Sequence, residues 1–168
     1  NLAGDGPMTP TRVGSFPTVK IIKMAYSGKY TYKQMEELLT RKGGLYSHLG
    51  TDDMREIVCR IRHGDEYAKL CTDAMAYQFG KAIGSCAAAL QGKVEAIIIT
   101  GGVAHSTYVI DQIRPYVEWI APVWVLPGEY ELAALARGAW QALTGEAEVL
   151  EYTGDPVFKG FHAARYGL

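Results

Sequence analysis

The sequence predicts an α/β domain, and three observations carry that prediction. Two short runs, Ala96-Ile97-Ile98-Ile99 and Val123-Trp124-Val125-Leu126, are apolar without alternation, which suits strands covered on both faces and therefore paired in parallel. Each is followed by a stretch of helical periodicity, giving strand 94–100, helix 106–118, strand 123–126 and helix 130–143, with right-handed crossovers. Ahead of them, residues 65–90 form one long amphipathic stretch in which Gly80, Gly84 and several alanines allow close approach of another backbone, as expected of a central helix.

The earlier elements follow from local signals. Residues 1–16 are rich in Gly, Pro and Thr and read as a loop or hairpin. The chain starts at Asn1 and enters the turn Gly4-Asp5-Gly6-Pro7 almost at once; a turn needs two arms, so a truncated first strand, with a domain before it, is expected. Residues 17–64 read as a helical insert. Val19, Ile22, Lys23 and Tyr26 share a face; Thr31 and Gln34 form a capping box before Met35, Leu38 and Leu39; and Gly43-Gly44 stops that helix. The next helix begins at Thr51 or Asp52, aligns Met54, Ile57, Val58 and Ile61, and ends at Gly64. In the long helix after it, Tyr67, Leu70, Cys71, Met75, Tyr77, Ile83, Cys86 and Leu90 lie on a broad apolar face. Residues 1–152 thus form one domain, and 153–168 a tail with aromatic anchors Phe158, Phe161 and Tyr166.

Composition narrows the functional classes. In 168 residues, 17 basic and 18 acidic side chains nearly cancel, so no global field favours nucleic acid or an anionic membrane, and any anion site must be local. No stretch reaches the roughly 18 apolar residues that span a bilayer. Cys59, Cys71 and Cys86 are odd in number and lack metal-type spacing, which reads as reduced packing residues in a cytoplasmic protein. The long helix with Trp119, Trp124 and Trp140 either fills the core or supports a homodimer.

Four segments can carry chemistry. In Thr100-Gly101-Gly102-Val103-Ala104-His105-Ser106 a strand turns at two glycines into a helix start, leaving amide N–H groups uncovered beside the positive end of the helix dipole. The corner is either a nucleotide cradle or an ordinary tight connection. Pro127-Gly128-Glu129-Tyr130-Glu131 falls at the same carboxyl edge of the sheet, where ligands of open α/β folds collect. There Glu131 either balances its helix dipole or holds Mg²⁺ directly or through water. Gly4-Asp5-Gly6-Pro7-Met8-Thr9-Pro10-Thr11-Arg12 is either a plain hairpin or a phosphate wrap bearing one guanidinium. In Gly50-Thr51-Asp52-Asp53-Met54-Arg55, the acids and arginine either cap a helix or frame an adenosine, carboxylate to ribose and guanidinium over the base. The four histidines, His48, His63, His105 and His162, show no metal spacing.

Taken together in order, with Ser27-Gly28-Lys29-Tyr30, Gly43-Gly44-Leu45, Ala74-Met75-Ala76-Tyr77-Gln78 and Ala133-Ala134-Leu135-Ala136-Arg137-Gly138-Ala139, these motifs make the chain resemble the butyrate kinases. That group belongs with the acetate and propionate kinases in the actin-like, sugar-kinase and Hsp70 ATPase superfamily. The resemblance runs from Gly4 to about Tyr152 and implies a ribonuclease H-like domain with a mixed sheet whose carboxy-terminal half is a parallel βαβα unit.

It further implies ATP or ADP with Mg²⁺ as cofactors and a short-chain carboxylate as substrate, ATP and butanoate giving ADP and butanoyl phosphate. Gly4, Asp5 and Gly6 match the phosphate loop, and Arg12 the carboxylate-binding or transition-state arginine. Asp53, Met54, Arg55, Gly101, Gly102, Val103, Ala104 and Ser106 match the adenosine pocket, and Glu131 the metal-linked glutamate. Ala3 departs from the acid these kinases place before the Gly-acid-Gly turn. The chain corresponds to the carboxy-terminal half, with the amino-terminal domain and its catalytic groups lying elsewhere, so the isolated chain is expected to bind nucleotide without turnover. The alternative is a nucleotide-binding regulatory or dimerisation module that performs no phosphoryl transfer.

Overall fold

The computed structural model describes residues 6–151 and Gly154. The chain divides into two compact units, Asn1–Glu129 and Tyr130–Leu168. The element order of the first is α1 (Thr18–Ala25), α2 (Tyr32–Thr40), α3 (Gly44–Leu49), α4 (Met54–Arg62), α5 (Glu66–Ala89), β1 (Ile97–Gly101), a 3₁₀ turn (Gly102–His105), α6 (Thr107–Val117) and β2 (Val123–Pro127). The second contains α7 (Glu131–Thr144), whose Leu132, Leu135, Ala136, Ala139, Trp140 and Leu143 recur at helical spacing and which stops at Gly145 in the left-handed conformation.

The helix starts follow capping chemistry. Thr31 and Gln34 form the predicted reciprocal box, with Thr31 N–H donating to Gln34 Oε1 at 2.8 Å and Gln34 N–H to Thr31 Oγ1 at 3.3 Å. Asp65 caps α5 by accepting from Ala68 N at 2.9 Å, and its carboxylate also receives Arg60, which in turn donates to the Leu49 carbonyl. One guanidinium thereby ties the end of α3, the end of α4 and the start of α5 together.

β1 and β2 pair in parallel, Ile97 against Val123 through Gly101 against Pro127, and an antiparallel bridge joins Gly101 to Gly128. The crossover between them is α6, which packs along α5, while α3 and α4 pack on α5 as well. Leu45, Ile57, Met75, Val109 and Val117 are fully buried where these helices meet; each such side chain contributes about 2 kcal/mol. Their cluster takes in Ile97, and Ile99 and Val123 pack against it, so one face of the sheet sits on the core.

Three expectations need correction. The apolar runs suggested strands covered on both faces, but burial alternates along both, and Ile98, Trp124 and Leu126 are more than half exposed. A period of two residues sends every second side chain away from the α5–α6 layer. The apolar face of α5 is also narrower than its sequence suggests. Ala68, Cys71, Thr72, Met75, Ala76 and Gly80 are buried, whereas Tyr67, Leu70, Tyr77, Cys86 and Leu90 are exposed. Small residues let α6 come close, and a Cβ at Gly80 would strike the Tyr116 side chain at 2.5 Å, while Gly84 faces open space. Finally, Trp119 and Trp124 are exposed rather than core residues.

Candidate functional site

A cavity of about 840 Å³ opens between the start of α4, the 3₁₀ turn with the start of α6, and the amino-terminal loop. Of the residues singled out in the sequence, Asp53, Met54, Arg55, Gly102, Val103 and Ser106 line it, joined by Asp52 and His105 of the same motifs and by Pro10 of the loop. Segments separated by up to about a hundred positions in the chain therefore converge on one space. Val58, Arg62, Thr107 and Tyr108 also line it and were missed by motif reading. The spacing Arg55, Val58, Arg62 places three side chains on one face of α4, a signal available in the sequence once the cap was fixed.

Asp53 is the N-cap of α4. Its Oδ1 accepts from Arg55 N at 2.8 Å and from Arg55 Nε at 3.0 Å, and its Oδ2 from the guanidinium at 2.7 Å. The Arg55 side-chain hydrogen bond first, and its backbone N–H second, hold the Asp53 carboxyl down at about 2. The pair is solvated, Arg55 being 92% exposed, so its contribution to stability is small and its main effect is to orient the guanidinium at the cavity rim. Because the folded-state pKa lies below the ordinary carboxylate value, the stabilisation it gives is present above pH ~4 and lost as the pH falls toward 2. Carboxyl-carbon NMR should therefore find Asp53 titrating near pH 2, and Arg55→Ala should move that midpoint back toward the ordinary range.

The glycine corner is built by backbone geometry. Gly101 ends β1 at φ +85°, a left-handed conformation that L side chains rarely adopt, and its N–H and C=O are bridged to Gly128. The two loops at the carboxyl ends of the strands are thus adjacent, as the topology predicted. Gly102 follows with an open face: a Cβ there would meet only Glu129 Oε1, at 3.6 Å. Ser106 caps α6, its Oγ accepting from Val109 N at 3.5 Å. Ala104 is buried beneath the turn, and neither it nor Gly101 lines the cavity.

The amino-terminal loop carries the guanidinium at Arg12. Thr9 N donates to the Arg12 carbonyl at 3.1 Å and Arg12 N to Thr9 Oγ1 at 2.9 Å, closing a turn. Gly43-Gly44, expected to stop a helix, instead opens the next one, since α2 already ends at Thr40 with Arg41 as its cap; the first amides of α3 receive this turn, with Gly43 N donating to Thr11 O at 2.9 Å, Leu45 N to Thr9 O at 3.3 Å and Tyr46 N to Pro10 O at 2.9 Å. Met8 N donates to Gln78 Oε1 on α5 at 3.0 Å. The backbone around Arg12 is therefore fixed while its side chain is exposed, and among the described residues no hydrogen bond or ion pair engages the guanidinium. Arg12 and Gly6 do not line the cavity, and Gly4 and Asp5 lie outside the described residues.

Glu131 stands in the first turn of α7, in the second unit. Among the described residues no group of three or more His, Cys, Asp or Glu side chains is placed to hold a metal ion. A single carboxylate fits Mg²⁺, which keeps several waters and takes substrate phosphate oxygens in preference to an all-protein cage. No helix among the described residues is long and apolar enough to cross a membrane.

The acetokinase family pattern matches residues 4–116. The protein named "Probable butyrate kinase 2" from Caldanaerobacter subterraneus subsp. tengcongensis is 49% identical over 141 residues, covering 84% of this chain and 40% of that protein. A "Probable butyrate kinase" from Bacteroides thetaiotaomicron is 42% identical over 151 residues, covering 90% of this chain and 43% of its own length. The chain thus spans about two fifths of the curated relatives it matches. Among solved structures, Porphyromonas gingivalis acetate kinase superposes with a TM-score of 0.70 at 22% identity, over 82% of this chain and 41% of that one. Acetate kinase from Entamoeba histolytica gives 0.69 at 19% identity, over 81% and 43%. These likenesses show that the chain shares its fold with the corresponding part of those acetate kinases. With two thirds of its residues matched by the family pattern and relatives of this identity along most of its length, the chain belongs to the acetokinase family.

Proposed function

We propose that this chain supplies the nucleotide-binding half of a butyrate kinase, an enzyme interconverting ATP and butanoate with ADP and butanoyl phosphate. One observation carries the reading: the Pro10 loop, the Asp53–Arg55 cap and the Gly102 corner share a single cavity in a chain 42–49% identical to proteins named as butyrate kinases. Met54, Val58 and Val103 give that cavity apolar walls for a base, and the Arg55 guanidinium is held at its rim. The bare corner at Gly102 leaves room for phosphates to approach the backbone near the start of α6.

Transfer to a carboxylate needs little proton movement, because the acceptor is already ionised at neutral pH. The protein's task is positioning and charge stabilisation. Arg12 is the group for the second task, a guanidinium on a fixed backbone whose donors have no partner among the described residues. Mg²⁺, when bound with the nucleotide, supplies further neutralisation of phosphate charge, and Glu131 is the residue we assign to it. The remaining positioning groups belong to the part of the enzyme outside this chain.

Gly102→Asp tests the cavity assignment. The added carboxylate would fill the open face of the corner beside Glu129 and repel phosphate, so calorimetric ADP affinity should fall at least about tenfold. Equal affinity in the two proteins would reject the assignment.

A further inference from the structure

We propose that Tyr108 forms the wall of the base subsite and selects purine over pyrimidine nucleotides, with Asp73 as the positioning residue that holds its ring. The proposal rests on the nucleotide reading above. Tyr108 lies in the first turn of α6, two residues after the Ser106 cap, and lines the cavity. Its hydroxyl donates at 2.6 Å to Oδ1 of Asp73, which is on α5, 35 residues away in sequence, and is not part of the cavity lining. The other Asp73 oxygen receives Lys69 Nζ, one turn earlier on the same helix. Burial, and after it the Asp73 hydrogen bond, push the Tyr108 pKa up, so the hydroxyl stays a donor throughout the working pH range.

A tyrosine tied at its far end has both side-chain torsions fixed before anything binds, so a ligand that packs on it does not have to order it. Lining the same cavity are Met54, Val58 and Val103, with Arg55 and Arg62 as cations. Apolar walls with guanidinium groups beside them suit a flat, electron-rich heterocycle, and a fused two-ring base covers more of an immobile ring than a single-ring base does. The motif residues alone do not provide this, because Gly102, Ser106 and Asp53 offer backbone and polar contacts common to every nucleotide. Discrimination between bases has to come from the wall.

The test is calorimetric titration of the chain with ADP and with UDP, which share ribose and diphosphate and differ in the base. The unmodified chain should prefer ADP. Tyr108→Ala should weaken ADP about tenfold, within the range typical of base–aromatic packing, and leave UDP within about twofold. Tyr108→Phe, which keeps the ring and loses its tether, and Asp73→Ala should each weaken ADP about threefold with UDP unchanged. A merely structural role would lower both affinities by one factor along with the unfolding temperature. A preserved ADP to UDP ratio in Tyr108→Ala therefore overturns the proposal, whether affinities hold or fall together; if that variant fails to fold, the ratio in Tyr108→Phe decides in the same way. An unmodified chain that binds neither nucleotide overturns the nucleotide reading and this role with it. An unmodified chain that binds ADP and UDP equally overturns only the role of Tyr108.

Discussion

Arg12→Ala is expected to cut acyl phosphate formation about a thousandfold in the complete enzyme while ADP affinity stays within about twofold. Arg12 is built into its loop through backbone atoms. The Thr9–Arg12 turn is closed by the Arg12 N–H and carbonyl, and α3 holds the Thr9, Pro10 and Thr11 carbonyls, so truncating the side chain leaves every one of these bonds in place. The fold is thereby insulated from the substitution, and any loss of rate reports on charge stabilisation. Arg12→Lys should recover only part of the loss, because an ammonium is a point charge without the planar fork of donors. Coupled assays of turnover with butanoate, run beside calorimetry with ADP, separate the two effects. Unchanged turnover would return the chain to the class of nucleotide-binding modules that carry out no transfer.

The second large effect belongs to stability. Gly44 is the first residue of α3, has φ +56° and packs against the Thr9 and Arg12 carbonyls, so that a Cβ would run into the Thr9 oxygen with no side-chain end to yield. An L residue in the left-handed region costs about 1–2 kcal/mol by itself. The backbone clash adds displacement of the whole turn, so Gly44→Ala should destabilise the chain by about 3 kcal/mol or more in urea unfolding. Gly84→Ala is the matched control, since its Cβ position on α5 is open and a helix interior favours alanine. It should be neutral or stabilising. An equal response of the two glycines would mean that the cradle contributes nothing particular.

What could be read from the residues follows from the range of the forces involved. Caps, the capping box and the strand–glycine–helix corner depend on interactions within four residues, and Thr31, Asp65 and Ser106 stand where the sequence put them, whereas α4 begins at Met54 with Asp53 as its cap, later than the Thr51 or Asp52 expected. The segment that became α3 was not legible. Six residues are too few to show a helical period, and Gly44 takes its conformation from a carbonyl 35 positions earlier. The apolar strands hid their one-sidedness for a related reason, because Ile98 and Ile99 are chemically alike and only the neighbouring layer tells them apart. In the cavity, the motif residues were marked by local motifs whose spacing left two readings open and by the family resemblance, whereas Tyr108 is held by a partner on another helix.

The Thr9–Arg12 turn touches two things at once: Pro10 borders the cavity, and Arg12, two residues on, reaches into solvent from the same clamped turn. A segment this short cannot settle against an occupant at one end without narrowing the excursions of the other. On the reading proposed above, donor and acceptor would then communicate through two peptide units. Thermodynamic reciprocity makes that exchange symmetrical, so that butanoate would tighten ADP by the same factor by which ADP tightens butanoate.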